Sequence, residues 1–119
     1  MDIKIAELAK GEVRIEIDVL AKIAGVIATN CYGVVGMAYR SKTDEFASLL
    51  KKDSLTKGIK VDCSNGRLTI GMHIIVDYGV NINTICNNIM SNVKYQLNHI
   101  TGLDVACVDV YVEGFRMQE

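Results

Sequence analysis

The chain has 119 residues, half of them hydrophobic, with 13 basic and 14 acidic side chains and a formal net charge of −1. That length predicts a single domain over residues 1–119, able to bury a core without metal or disulfide staples. The balanced charge, with no basic run longer than Lys51-Lys52, excludes an electrostatic binder of nucleic acid. The first ten residues hold no apolar stretch of the secretory kind. The longest nearly apolar run, residues 19–28, includes Lys22 and falls short of the roughly 20 residues that span a bilayer, so no direct membrane insertion is expected. Four scattered cysteines without a CxxC pair read as thiols of a reducing compartment.

Taken in chain order, Val13, Ile15 and Ile17 alternate with Glu12, Arg14 and Glu16 and predict a first strand. Asp18 is the expected N-cap of a helix running to about Cys31, with Leu20, Ile23, Ile27 and Cys31 inward. Ala21, Ala24, Gly25 and Ala28 put small residues on that helix, for close packing within the chain or against a second copy. Gly33 fits a left-handed stop, and residues 34–39 a short strand. Thr43 caps a predicted short helix with acidic residues first and lysines last, an order that suits the helix dipole.

Next comes the strongest local signal. Asn65-Gly66 separates two alternating runs, as a type I′ hairpin demands. Pairing outward sets Cys63 opposite Leu68, Val61 opposite Ile70 and Ile59 opposite Met72, all on one apolar face. A long helix over residues 83–99 follows, with Ile82, Ile85, Cys86, Ile89, Val93, Leu97 and Ile100 inward and Gly102 ending it. The last strand covers residues 105–115, with Val108, Val110 and Val112 inward. The order β-α-β-(α)-β-β-α-β predicts an α+β two-layer sandwich. It is a mixed sheet of about five strands with two main helices on one face. Its open face should carry Arg14, Lys60, Asp62, Thr69, His73, Ile75, Asp77, Asp109, Tyr111 and Glu113.

Candidate chemistry is thin. Cys63, Cys86 and Cys107 fit apolar faces, and the cysteines lack ligand spacing, so packing is expected of them and no metal. His99 near a helix end suits the dipole. His73 as a general base would need a partner, and Asp77, four residues along the same strand face, is out of reach. Gly33-Val34-Val35-Gly36 lacks a phosphate-binding lysine. More informative is the outer face of the long helix: Thr84, Asn87, Asn88, Ser91, Tyr95 and Asn98, with Lys94 the one Asp, Glu, Lys or Arg in the helix. Asn is a poor helix former, and a solvated helix ordinarily carries more Glu and Lys. The stripe is either a surface for a protein partner or a plain solvated face.

A resemblance runs through the ordered motifs. Gly11-Glu12-Val13-Arg14-Ile15, Val19-Leu20-Ala21-Lys22-Ile23-Ala24-Gly25 and Tyr32-Gly33-Val34-Val35-Gly36-Met37 open it. Ile74-Ile75-Val76-Asp77-Tyr78-Gly79, Val93-Lys94-Tyr95, Thr101-Gly102-Leu103 and Val108-Asp109-Val110-Tyr111-Val112-Glu113-Gly114 continue it, so that it covers residues 4 to 117. Together they resemble the alkaline shock protein family of envelope stress response proteins, in its short single-domain branch from Gram-positive bacteria. The resemblance implies a cytoplasmic, non-enzymatic stress-response protein with no cofactor and no catalytic residues. It acts through protein partners, as a homo-oligomer or on a membrane anchor protein that holds it at the inner membrane face. Genes of the short branch often neighbour a fatty-acid-kinase-like protein. That gives the alternative expectation, an accessory subunit binding a small molecule or acyl chain.

Overall fold

The computed structural model describes residues 2–38 and 58–117, and the helix expected from Thr43 lies outside them. The described residues form β1 (Asp2–Leu8), β2 (Gly11–Glu16), α1 (Ile17–Thr29), β3 (Val34–Met37), β4 (Ile59–Ser64), β5 (Arg67–Asp77), α2 (Ile82–Thr101) and β6 (Asp104–Arg116).

Asn65 and Gly66 take φ of 54° and 75°, the left-handed pair of a type I′ turn. The β4–β5 hairpin they close has the expected register, Cys63 with Leu68, Val61 with Ile70 and Ile59 with Met72. β5 is the spine of the main sheet. β6 runs parallel to it along its whole length, from Arg67 with Asp104 to Asp77 with Arg116. One edge of β5 is thus filled, so β4 and β3 share the other end to end, β4 beside residues 67–72 and β3 beside residues 74–76. His73 marks the junction: its N–H donates to the Gly58 carbonyl (3.0 Å), and its carbonyl accepts from the Ala38 N–H (2.8 Å). Gly58, at φ 70°, is required there, because a Cβ would collide with the Ala38 carbonyl oxygen.

Alternation along β5 sorts the layers. Leu68, Ile70, Met72, Ile74 and Val76 are buried on the helix side with Leu20, Ala24, Ile27 and Ala28 of α1 and Ile85, Ile89, Val93 and Leu97 of α2. The intervening Thr69, Gly71, His73, Ile75 and Asp77 lie half-buried on the open side. The fold is a mixed α+β arrangement with both helices on one face of the sheet. Ala21, Ala24, Gly25 and Ala28 are all buried, so the small-residue stripe serves packing within the chain.

Several local expectations change. β1 had no place in the sequence reading. It pairs antiparallel with β2 in a separate two-stranded sheet, so Arg14 is not on the open face of the main sheet. Arg14 instead bridges Glu12 (2.9 Å) and Asp2 (3.3 Å). Ile17 begins α1 rather than ending a strand, with Glu16 at the cap position, making no side-chain cap bond. Asp18 therefore sits in the first turn, where its charge suits the dipole but its side chain does not cap. The chain leaves α1 through Asn30, and Gly33 (φ 87°) opens the turn into β3.

In α2 the buried line advances in steps of four, Ile85, Ile89, Val93, Leu97 and Thr101. At 3.6 residues per turn that line creeps around the helix. Ile82 and Ile100 are left exposed, and Thr101 takes the inward place. The Thr101 hydroxyl donates to the Leu97 carbonyl (2.6 Å) and accepts from the Leu103 N–H (3.1 Å). Cys63 and Cys107 are exposed rather than packed. Cys63 stands near the free end of β4, and a register shift at Ala106 turns Cys107 to the open face beside Thr69.

Candidate functional site

α2 is built to hold its outer face still. Asn81 caps it, its side-chain oxygen accepting from the Thr84 N–H (3.1 Å), and Gly102 closes it at φ 78°, its N–H bonded to the Asn98 carbonyl (2.8 Å). The buried side is clamped to the sheet and α1. Thr84, Asn87, Asn88, Ser91, Tyr95 and Asn98 are all exposed along the opposite side.

These six residues do not form one flat strip. Thr84 and Asn88 open into a cavity of about 570 Å³ at the rim, bounded by Tyr32, Asp77, Tyr78, Asn81 and Met117 among others. Ser91, Tyr95 and Asn98 border a second concavity of about 480 Å³ beside Lys94, Asp104 and Val105. Asn87 lines neither of these. The Tyr95 ring lies parallel to the His99 imidazole, centroids 6.1 Å apart. Asn98 has a structural task as well, its side-chain amide donating to the Leu103 carbonyl (3.0 Å). Between the helices a smaller groove of about 260 Å³ is rich in amides, Asn30, Asn88, Asn92 and Gln96. There the Asn92 amide donates to Cys31 Sγ (3.7 Å).

The rim cavity joins elements far apart in sequence. Tyr32 follows α1, Asp77 ends β5, Tyr78 and Asn81 lead into α2, and Met117 follows β6. It sits at the carboxyl ends of the parallel pair β5 and β6 and beside the N-terminus of α2. Asp77 Oδ1 is shut off from solvent there with no hydrogen-bond partner among the described residues.

The open sheet face holds the other polar group. His73 Nδ1 lies 2.6 Å from Glu113 Oε1, and the imidazole stacks on Tyr111 with centroids 4.8 Å apart. Lys60, Asp62, Thr69, Gly71 and Asp109 complete a shallow hollow. The partner of His73 is therefore a carboxylate across the parallel strand pair. Alternation along β5 alone puts only Asp77 on the same strand face as His73, and Glu113 comes within reach through the β5–β6 register. Cys86 is half-buried, and that burial pushes its thiol up, away from the reactive thiolate. No cluster of three or more His, Cys, Asp or Glu that could hold a metal ion occurs among the described residues.

Against known proteins, residues 6–117 match the alkaline shock protein 23 family, described as having a cell envelope-related function. The chain is 37% identical over 108 residues to the uncharacterized protein YloU of Bacillus subtilis, covering 90% of each chain. It is 35% identical over 108 residues to the uncharacterized protein Spy1614 of Streptococcus pyogenes, covering 90% of this chain and 89% of the relative. A stress response regulator gls24 homolog of Streptococcus pyogenes is 24% identical over 110 residues, which are 92% of this chain and 62% of that longer protein. No solved structure matches. The chain thus belongs to the alkaline shock protein family of Gram-positive bacteria, in its short branch, a family described by a cell envelope-related function.

Proposed function

We propose that the chain works as an interaction module whose contact surface is the outer face of α2. The observation that carries this is the chemistry of that face: Thr84, Asn87, Asn88, Ser91, Tyr95 and Asn98 are exposed on a 20-residue helix, with Lys94 alone charged among Asp, Glu, Lys and Arg. Depletion of charge with an exposed tyrosine is the composition of an interface core rather than of a solvated helix. The two concavities along the stripe offer shape for a partner to fill. The partner is protein, either further copies of this chain or a membrane anchor protein that brings it to the inner face of the cytoplasmic membrane. No helix among the described residues is long and apolar enough to cross a membrane.

The double variant Asn88→Glu/Tyr95→Lys tests this. Glu and Lys are better helix formers than the residues they replace, so on a solvated face the change is neutral or slightly stabilising. Inside a desolvated contact each unpaired charge costs several kcal/mol, roughly a hundredfold or more in affinity. Light scattering should show loss of self-association, or pull-down from the native cell loss of partners, with circular dichroism unchanged. Retention of both oligomeric state and partners would remove α2 as the contact surface.

A further inference from the structure

We infer that the outer edge of β6 is the seam of a symmetric dimer, in which two copies of this chain pair antiparallel about Val110. This deepens the reading of α2 as a contact surface, and rests on it for the role of the C-terminal half of that helix.

Among the described residues β6 pairs with β5 alone, so along its other side alternate N–H and C=O groups meet no strand. Free edges are ordinarily kept short or interrupted by Lys or Pro, but β6 runs for 13 residues and holds neither. Its two register shifts, at Ala106 and Glu113, would spoil a match with a regular strand of another protein. They do not spoil a match with a second copy. The helix-side residues of β6 are those paired with Leu68, Ile70, Met72, Ile74 and Val76, namely Val105, Val108, Val110, Val112 and Phe115. They lie three, two, two and three residues apart, a spacing that reads the same in both directions. Antiparallel pairing centred on Val110 therefore sets Val105 opposite Phe115 of the second copy, Val108 opposite Val112 and Val110 opposite itself. Every apolar residue meets an apolar residue on one face, and the irregular stretch around Ala106 falls across from the one around Glu113.

Charge fits the same register. Asp104 falls opposite Arg116, both exposed and both on the open side of the sheet. Arg67 Nε donates to Asp104 Oδ2 (2.8 Å), and a carboxylate has a second oxygen to accept from the incoming guanidinium. Asp109 falls opposite Tyr111, whose hydroxyl donates, and no like charges are directly opposed. Shape fits as well. α2 lies over β6 and α1 over β3 and β4, so α2 is the helix beside the seam. The concavity of about 480 Å³ there is bounded by Asp104 and Val105 of β6 and by Ser91, Lys94, Tyr95 and Asn98 of α2. Phe115 of the second copy stands directly across from Val105, with Cβ atoms about 5 Å apart as in any opposed strand pair. Its ring, 61% exposed in the single chain, fills that concavity, and symmetry repeats the contact at the other end of the seam. Tyr95, 71% exposed in the single chain, then loses its water.

Light scattering on the full chain should find a dimer, and cross-linking reads its register. In a Cys63→Ser/Cys107→Ser background, Val110→Cys should form an intermolecular disulfide in a glutathione buffer, because directly opposed strand residues lie within disulfide range. Val108→Cys and Val112→Cys, each alone, should cross-link at least tenfold less, and an equal mixture of those two chains should recover the bond. Phe115→Glu, at an exposed site, should weaken self-association at least tenfold, and Arg116→Glu several-fold, with circular dichroism unchanged. A chain that stays monomeric at every concentration reached overturns the seam, as does equal cross-linking from all three positions. A dimer that neither a disulfide nor a short bis-maleimide joins at Val110→Cys overturns it as well. The variant Asn88→Glu/Tyr95→Lys separates the two readings. If it loses its partners while the parent chain never dimerises, α2 serves another protein and the seam falls alone. If the dimer joined at Val110 survives in that variant together with every partner, the strand pairing stands and α2 is removed as the contact surface.

Discussion

Two antiparallel hairpin ribbons lie among the described residues, β1–β2 and β4–β5, and they are held by different forces. β4–β5 turns through Asn65-Gly66, keeps one uninterrupted register, and buries Val61, Leu68, Ile70 and Met72 under the helices. β1–β2 turns through Ala9 and Lys10, slips register between Lys4 and Ala6, and leaves most of its residues exposed. Only Ile3, Ile5 and Ile15 of the second ribbon lean on the core, half-buried. Across its polar side run Lys4–Glu7 (3.0 Å), Arg14–Glu12 and Arg14–Asp2. A two-stranded ribbon alone is marginal in water. The first ribbon escapes that limit because β6, β3 and both helices join it, and the second has only its partial lean on the core.

The sharpest way to break this comparison is to remove equivalent side chains. Ile70→Ala takes a fully buried isoleucine from the centre of β5 and should cost roughly 2–5 kcal/mol. Ile15→Ala, at a half-buried site in β2, should cost about 1 kcal/mol. Denaturant unfolding with both variants measures the ratio. Equal losses would mean that the N-terminal ribbon is as deeply bound to the core as the central hairpin.

A second test separates turn from burial. A Cβ at Gly66 would meet nothing within 4 Å, so Gly66→Val is penalised only through its backbone, held at φ 75°. The cost should be about 1–3 kcal/mol. It should appear as a lower melting temperature, with partner binding unaffected. An unchanged melting temperature would show that the turn contributes nothing to a register already set by the core.

These two ribbons also explain what could be read without coordinates. The β4–β5 register was legible because two independent constraints, Asn-Gly chemistry and a two-residue apolar period, agree on it. β1 was missed although Ile3 and Ile5 alternate with Asp2 and Lys4, because its turn has no such signal and its burial is partial. The helix stripe was legible because exposure follows from helical period, and all six residues do face outward. Burial of Cys63 and Cys107 was misread, because strand ends and register shifts escape a simple alternation. The rim cavity was not legible at all. It needs Tyr32 beside Asp77, and the His73–Glu113 bond needs residues 40 apart to meet, and both follow only from the pairing of β5 with its neighbours.

The smallest effect expected lies in the charges of the N-terminal ribbon. The hydrogen bond and charge of Arg14 hold the Glu12 carboxyl below its ordinary range, and Glu12 in turn raises Arg14. A carboxyl whose folded value is depressed contributes stability that is fully present above the unfolded value. That contribution disappears as pH falls through the folded value. Acidification from neutral to below the carboxylate range should therefore loosen β1–β2 before β4–β5, whose hairpin is set by apolar contacts. Amide exchange and chemical shifts of residues 2–16, followed through the acid titration, should move ahead of those of residues 59–77. Both ends of the pair are exposed, so added salt should shrink the effect, and Glu12→Gln should abolish its pH dependence at neutral-pH stability close to the parent. If the two ribbons instead loosen together, the ion pairs are ornaments of a ribbon that the core already holds. Ile3, Ile5 and Ile15 would then be its true fastening.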